Sequence, residues 1–119
     1  MGRKSTAQKL LDGLPPHDAH DRTLLVLYDF HGGPPHPRFY ANLHRITELT
    51  SDDSSLVQYS AYKTSSLRAA LAAHALASRM GAETAIFEGA ERSPDDLRRR
   101  LKEAQEESEE EKNMPAQKS

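Results

Sequence analysis

The sequence predicts an α+β fold, with two helices on one face of a small, mainly antiparallel sheet. Three observations lead there. "TLLVLYDF", Thr23 to Phe30, is a continuous apolar run of strand length, rich in residues that suit a buried strand. Two later segments place apolar residues at helical spacing, one from Pro37 and one from Ser65. Between them "SSLVQYSAYKT", Ser54 to Thr64, alternates in part, with Leu56, Gln58, Ser60 and Tyr62 on one face and Val57, Tyr59, Ala61 and Lys63 on the other.

Each element has its own signals. Residues 1–22 carry Arg3, Lys4 and Lys9 and then "LPPHDAHD". Gln8 to Leu14 has room for a helical turn or two before Pro15 and Pro16 stop it, and the segment reads as a flexible N-terminal arm. "HGGPPHP", His31 to Pro37, is the strongest turn signal in the chain, and Pro37 suits the first turn of a helix. In that helix Phe39, Leu43, Ile46 and Thr50 recur at helical spacing, and "SDDSS" from Ser51 breaks it. The next helix, "SSLRAALAAHALASRMGA", takes its cap from Ser65 or Ser66 and ends at Gly81, with Leu67, Ala70, Leu71, His74 and Ala77 as one face. "ETAIFEGA" from Glu83 reads as a last short strand. "SPDDLRRRLKEAQEESEEE" reads as a solvated helix with Ser93 as cap and Pro94 in its first turn, followed by a disordered tail.

The organisation is thus an arm over 1–22, a folded body over 23–90 and a charged helix and tail over 91–119. The body's order approaches the β-α-β-β-α-β pattern of the ferredoxin-like sandwich. One strand is missing from the count unless 54–64 bends into two, and no Gly or Pro marks such a bend.

Composition narrows the function classes. The chain has 119 residues, 36% apolar and 29% charged, with the apolar ones concentrated between Thr23 and Ala90. A body of roughly 70 residues is close to the lower limit for a lone core, which makes a homodimer an economical solution. No cysteine is present, so disulfides, thiolate zinc sites and cysteine nucleophiles are excluded. The net charge of −2 does not advertise a nucleic-acid binder. No apolar run has bilayer length and no signal-peptide pattern opens the chain, so a soluble cytoplasmic protein is expected, without a membrane partner.

Tyr28-Asp29 at the end of the first strand and Val57-Gln58-Tyr59-Ser60 one helix later resemble a known family. It is the small CRISPR-associated adaptation protein, the second in its numbered series and the partner of the CRISPR integrase. Ala61 and Tyr62 stand where that family usually has Val and Phe, and the resemblance covers roughly Leu24 to Glu88. It implies a ferredoxin-like dimer that works as a scaffold with the integrase in spacer acquisition and holds duplex DNA. It also implies that Gln58, Tyr59, Ser60 and Tyr62 lie near the dimer interface. Some family members are metal-dependent nucleases, which implies that Asp29 binds Mg²⁺ or Mn²⁺ and that two copies of it share one ion for phosphodiester cleavage.

Blander roles fit the same residues. Asp29 suits a cap for the turn that follows, and Gln58 and Ser60 suit a solvent-facing strand. His31 and His36 flank the loop and His44 follows, but their spacing matches no tight metal motif. His74 suits a hydrogen-bonded place at the core's edge, and His17 and His20 carry little information. Arg38 and Arg45 are the nucleic-acid candidates on the first body helix, fewer than the family usually has there, with Asp52 and Asp53 following. Arg98 to Arg100 suit a solvated helix with acidic partners. A stand-alone metal-dependent nuclease and an interaction module unrelated to CRISPR therefore stand beside the scaffold reading.

Overall fold

In the computed structural model, residues 3–50, 54–58 and 60–113 are described, without the side chains of residues 57, 58 and 113. The elements in chain order are α1 (Thr6–Asp12), β1 (Thr23–Asp29), α2 (Pro37–Thr50), β2 (Ser55–Gln58), β3 (Ala61–Thr64), α3 (Leu67–Arg79), β4 (Glu83–Gly89) and α4 (Pro94–Asn113). The four strands form one sheet in the order β2-β3-β1-β4, with every pairing antiparallel. The architecture is α+β.

The open question over 54–64 is resolved as two strands. β2 and β3 pair as a hairpin, with Leu56 opposite Tyr62, Gln58 opposite Ala61 and an irregularity between Leu56 and Gln58.

β1 is central, and its side chains alternate. Leu24, Val26 and Tyr28 point into the core, while Leu25, Leu27 and Asp29 take the other face. A continuous apolar run was expected to be buried throughout, yet Leu27 is 37% exposed. On the core side Phe39, Leu43 and Ile46 of α2 form the buried stripe that their spacing predicts. Phe39 meets Tyr28 edge-on at a centroid distance of 4.8 Å and Phe30 at 5.0 Å.

α3 is capped by Ser66, whose side chain accepts a hydrogen bond from the Ala69 amide. It ends at Gly81 with φ 92°, where the Ala82 and Gly81 amides donate to Ala77 and Ser78 carbonyls. Its buried face is Ala69, Ala70, Ala72, Ala73, Leu76 and Ala77. Leu67 and Leu71, expected on the core face, are exposed at 42% and 48%. The helix turns its small side chains inward and packs against β1, β3, β4, α1 and α2, and alanines allow so close an approach where leucines would hold it off.

Residues 3–22 do not form a free arm. α1 sinks Ala7 and Leu11 into the same core, and Asn42 of α2 accepts from the Ala7 amide at 3.1 Å. Further along, Asp18 binds the start of α3, accepting from the Ser66 hydroxyl and, at 3.1 Å, from the Arg68 amide. Arg68 in turn donates to the Leu11 carbonyl at 2.8 Å. Two apolar residues four apart are too faint a signal in sequence, but three packed helices give them a place to bury.

α4 begins as predicted, with Ser93 accepting from the Asp96 amide at 3.1 Å and Asp95 pairing with Arg98. Apart from the half-buried Asp96, its residues 94–112 are exposed, Leu97 and Leu101 included. The longest dimension of the molecule is 77 Å.

Candidate functional site

The helix layer covers one face of the sheet and leaves the other open. On the open face the antiparallel register sets Leu25 beside Phe87, Leu27 beside Ala85 and Asp29 beside Glu83. Phe87 is 58% exposed. A groove of about 300 Å³ runs past Thr23, Leu25, Lys63 and Phe87 at one end of this face. At the other end stands Asp29, its carboxylate 69% exposed.

Asp29 and Glu83 do not converge on a common point. His31 lies between them, with Nδ1 3.4 Å from Asp29 and Nε2 3.2 Å from Glu83. A protonated imidazole donates to both carboxylates, and a neutral one donates from a single nitrogen. Among the described residues no group of three or more histidine or acidic side chains is arranged to hold a metal ion. Within one protomer this donor set does not fit Mg²⁺, which demands several oxygens in near-octahedral array. Gly33, with φ 118°, lets the loop after β1 double back, and its amide donates to the Phe30 carbonyl at 3.2 Å.

The remaining candidates separate. Tyr62, expected at a dimer interface, is 1% exposed, and its hydroxyl shares a 2.8 Å hydrogen bond with Thr47 of α2. It is a core residue of the protomer, because the hairpin places it opposite Leu56 and beneath the helices. Ser60 is exposed, and its carbonyl accepts from the Tyr28 amide. Tyr59 and the Gln58 side chain lie outside the described residues.

Arg45 pairs with Glu48 at 3.0 Å, so its charge is answered within its own helix, and His44 reaches the same carboxylate at 2.7 Å. Arg38 differs. It lines a small groove between the helices together with Lys9 and Arg79. Neither that groove nor the open apolar face was visible in sequence, since each gathers residues from separate elements. The alternation of Leu25 and Leu27 against Leu24 and Val26 is the one signal that pointed to the face, and only if β1 is known to be covered on one side.

Fold and site together define a small α+β protein with one sheet face under helices and the other an open apolar strip ending in a carboxylate. No family model, curated protein or solved structure matches the chain. Among the described residues no helix is long and apolar enough to cross a membrane.

Proposed function

We propose that the protein is a ferredoxin-like homodimeric scaffold of the CRISPR-adaptation kind, working in the cytoplasm beside the integrase and a duplex DNA fragment in spacer acquisition. The sequence resemblance suggests the system, and the β-α-β-β-α-β order with β1 and β3 central supports the fold assignment. The observation that carries the dimer is the open strip of Leu25, Leu27 and Phe87, an apolar surface of the kind that marks a protein contact. Asp29 stands at one end of that face, so two copies packed across it bring their Asp29 carboxylates toward one another when like ends of the strip meet. The nuclease reading needs such a pair to share Mg²⁺, because one protomer's donors do not suffice.

Light scattering of the protein alone and with the integrase tests the assembly, and a gel assay with duplex DNA and Mg²⁺ tests cleavage. A dimer mass, a larger complex with the integrase, and DNA capture that survives Asp29→Asn are expected. A monomer at high micromolar concentration would end the scaffold reading. Strong Mg²⁺-dependent cleavage lost in Asp29→Asn would replace it with the nuclease.

A further inference from the structure

We infer that Lys9, Arg38 and Arg79 form a seat for the phosphate group of a phosphoester ligand. The three cations come from three helices and line one groove of about 230 Å³, together with Thr6, Asn42, Leu76 and Met80. No carboxylate lines the groove, and none of the three cations has one within ion-pair distance among the described residues. Among the described residues Lys4, Arg22, Arg45, Lys63, Arg98 and Arg99 have such a partner and Arg3, Arg68, Arg92, Arg100, Lys102 and Lys112 do not, so what sets the three apart is their gathering in one groove without a carboxylate.

Helix dipoles explain two of these cations but not the third. Lys9 and Arg79 sit in the last turns of α1 and α3, where positive charge is favoured. Arg38 sits in the first turn of α2, at the positive end, and no acidic residue accompanies it there. It thus meets both an unfavourable dipole and two like charges. An anion in the groove meets the positive end of α2 and offsets the repulsion among the three cations, while Lys9 and Arg79 stand between it and the negative ends of α1 and α3. Two guanidinium forks and an ammonium suit the several oxygens of a phosphate better than a flat carboxylate.

The walls are rigid enough to hold that arrangement. Asn42 ties α1 to α2, accepting from the Ala7 amide and donating to the Arg38 carbonyl at 2.9 Å. Ala7 and Leu76 behind the groove are buried. The seat lies on the helix layer, away from the open sheet face, so it goes beyond the dimer reading and does not depend on it.

Amide chemical-shift titration of the full chain tests the seat, with inorganic phosphate, adenosine monophosphate and a short DNA duplex in separate arms at constant ionic strength. The expected shifts gather at Thr6, Lys9, Arg38, Asn42 and Arg79. Affinity should fall roughly tenfold in Arg38→Gln and again in Arg79→Gln, the factor that one charge-assisted hydrogen bond carries. Both side chains are exposed, so the variants should keep the wild-type spectrum elsewhere. Binding of phosphate and the mononucleotide identifies a small phosphoester as the source, and binding of the duplex alone identifies backbone phosphates. Shifts that potassium chloride reproduces, shifts that persist unchanged in both variants, or no shifts in any arm would overturn the proposal.

Discussion

Replacing Phe87 with Ala separates a working interface from an idle apolar surface. The ring is 58% exposed in the protomer, so about 100 Å² of an aromatic side chain is free to be covered by a partner. At about 25 cal/mol per Å² that area is worth about 2.5 kcal/mol. A two-fold interface uses the residue twice, once from each copy, which raises the loss to about 5 kcal/mol. The dimer dissociation constant should then rise by three to four powers of ten, roughly, at 1.4 kcal/mol per tenfold. Area is an upper guide to affinity, so a rise of two powers still fits the argument. The protomer should be little affected, because Phe87 contributes nothing to its core cluster. Sedimentation equilibrium across a concentration series reads the constant, and circular dichroism checks the fold. An unchanged constant in the variant would refute the assignment of this face, whatever the wild-type mass.

Three further outcomes follow from the packing. Leu11→Ala should destabilise the protein by about 2–5 kcal/mol in urea unfolding, since Leu11 is 2% exposed within the main core; a negligible change would return the N-terminal segment to a free arm. Tyr28→Phe should leave stability unchanged or raise it by about 1 kcal/mol, because the Tyr28 hydroxyl is buried without a hydrogen-bond partner among the described residues, and desolvation, with Tyr40 adding to it, pushes its pKa up; a large loss in thermal midpoint would contradict that. Asp18 feels partial burial, which pushes its pKa up, but hydrogen bonds from Ser66, Arg68 and Ala19 and the nearby His20 outweigh it and hold the pKa below the ordinary carboxylate value. A depressed carboxylate stabilises the fold above its unfolded pKa, about 4, and the contribution drains away as pH falls through the folded value. Asp18→Asn should therefore lower the thermal midpoint at pH 7 and flatten its decline below pH about 4, and equal acid sensitivity in both proteins would disprove the role.

The elements that showed in sequence are those with strong local signals. "TLLVLYDF" could only be a strand, Phe39, Leu43 and Ile46 repeat over two turns, and Ser66, Gly81 and Ser93 mark helix ends by chemistry that local sequence carries. What escaped depends on distant partners. α1 buries just Ala7 and Leu11, and their value comes from α2 and α3. The hairpin turns without Gly or Pro, so a single alternating pattern ran across it, and the family resemblance, not that pattern, set Tyr62 at a dimer interface rather than in the core. The helical period of α3 was legible but its phase was not, because leucine outside and alanine inside reverses the usual ranking. Asp29 was located correctly as the strand's last residue, whereas its neighbours Glu83 and His31 are set by strand register and by the loop that Gly33 folds back.

The placement of the two surfaces makes them separable. The open sheet face and the basic groove lie on opposite sides of the protomer, with the sheet and the helix layer between them. Two copies joined across the open face would carry their grooves outward, with two sheets and two helix layers intervening. At about 10 Å per layer the seats stand some 30 Å or more apart. A mononucleotide can occupy only one seat, so Phe87→Ala should leave its affinity untouched. A ligand with phosphates spaced across the whole dimer engages both, and the second contact then acts at high effective concentration. For such a ligand alone Phe87→Ala weakens binding along with dimerisation, although the mutated ring touches no phosphate. Duplex affinity that falls in step with dimer loss, beside an unchanged mononucleotide affinity, would tie the apolar face and the basic groove to one task; duplex affinity indifferent to Phe87 would show that each protomer binds by itself.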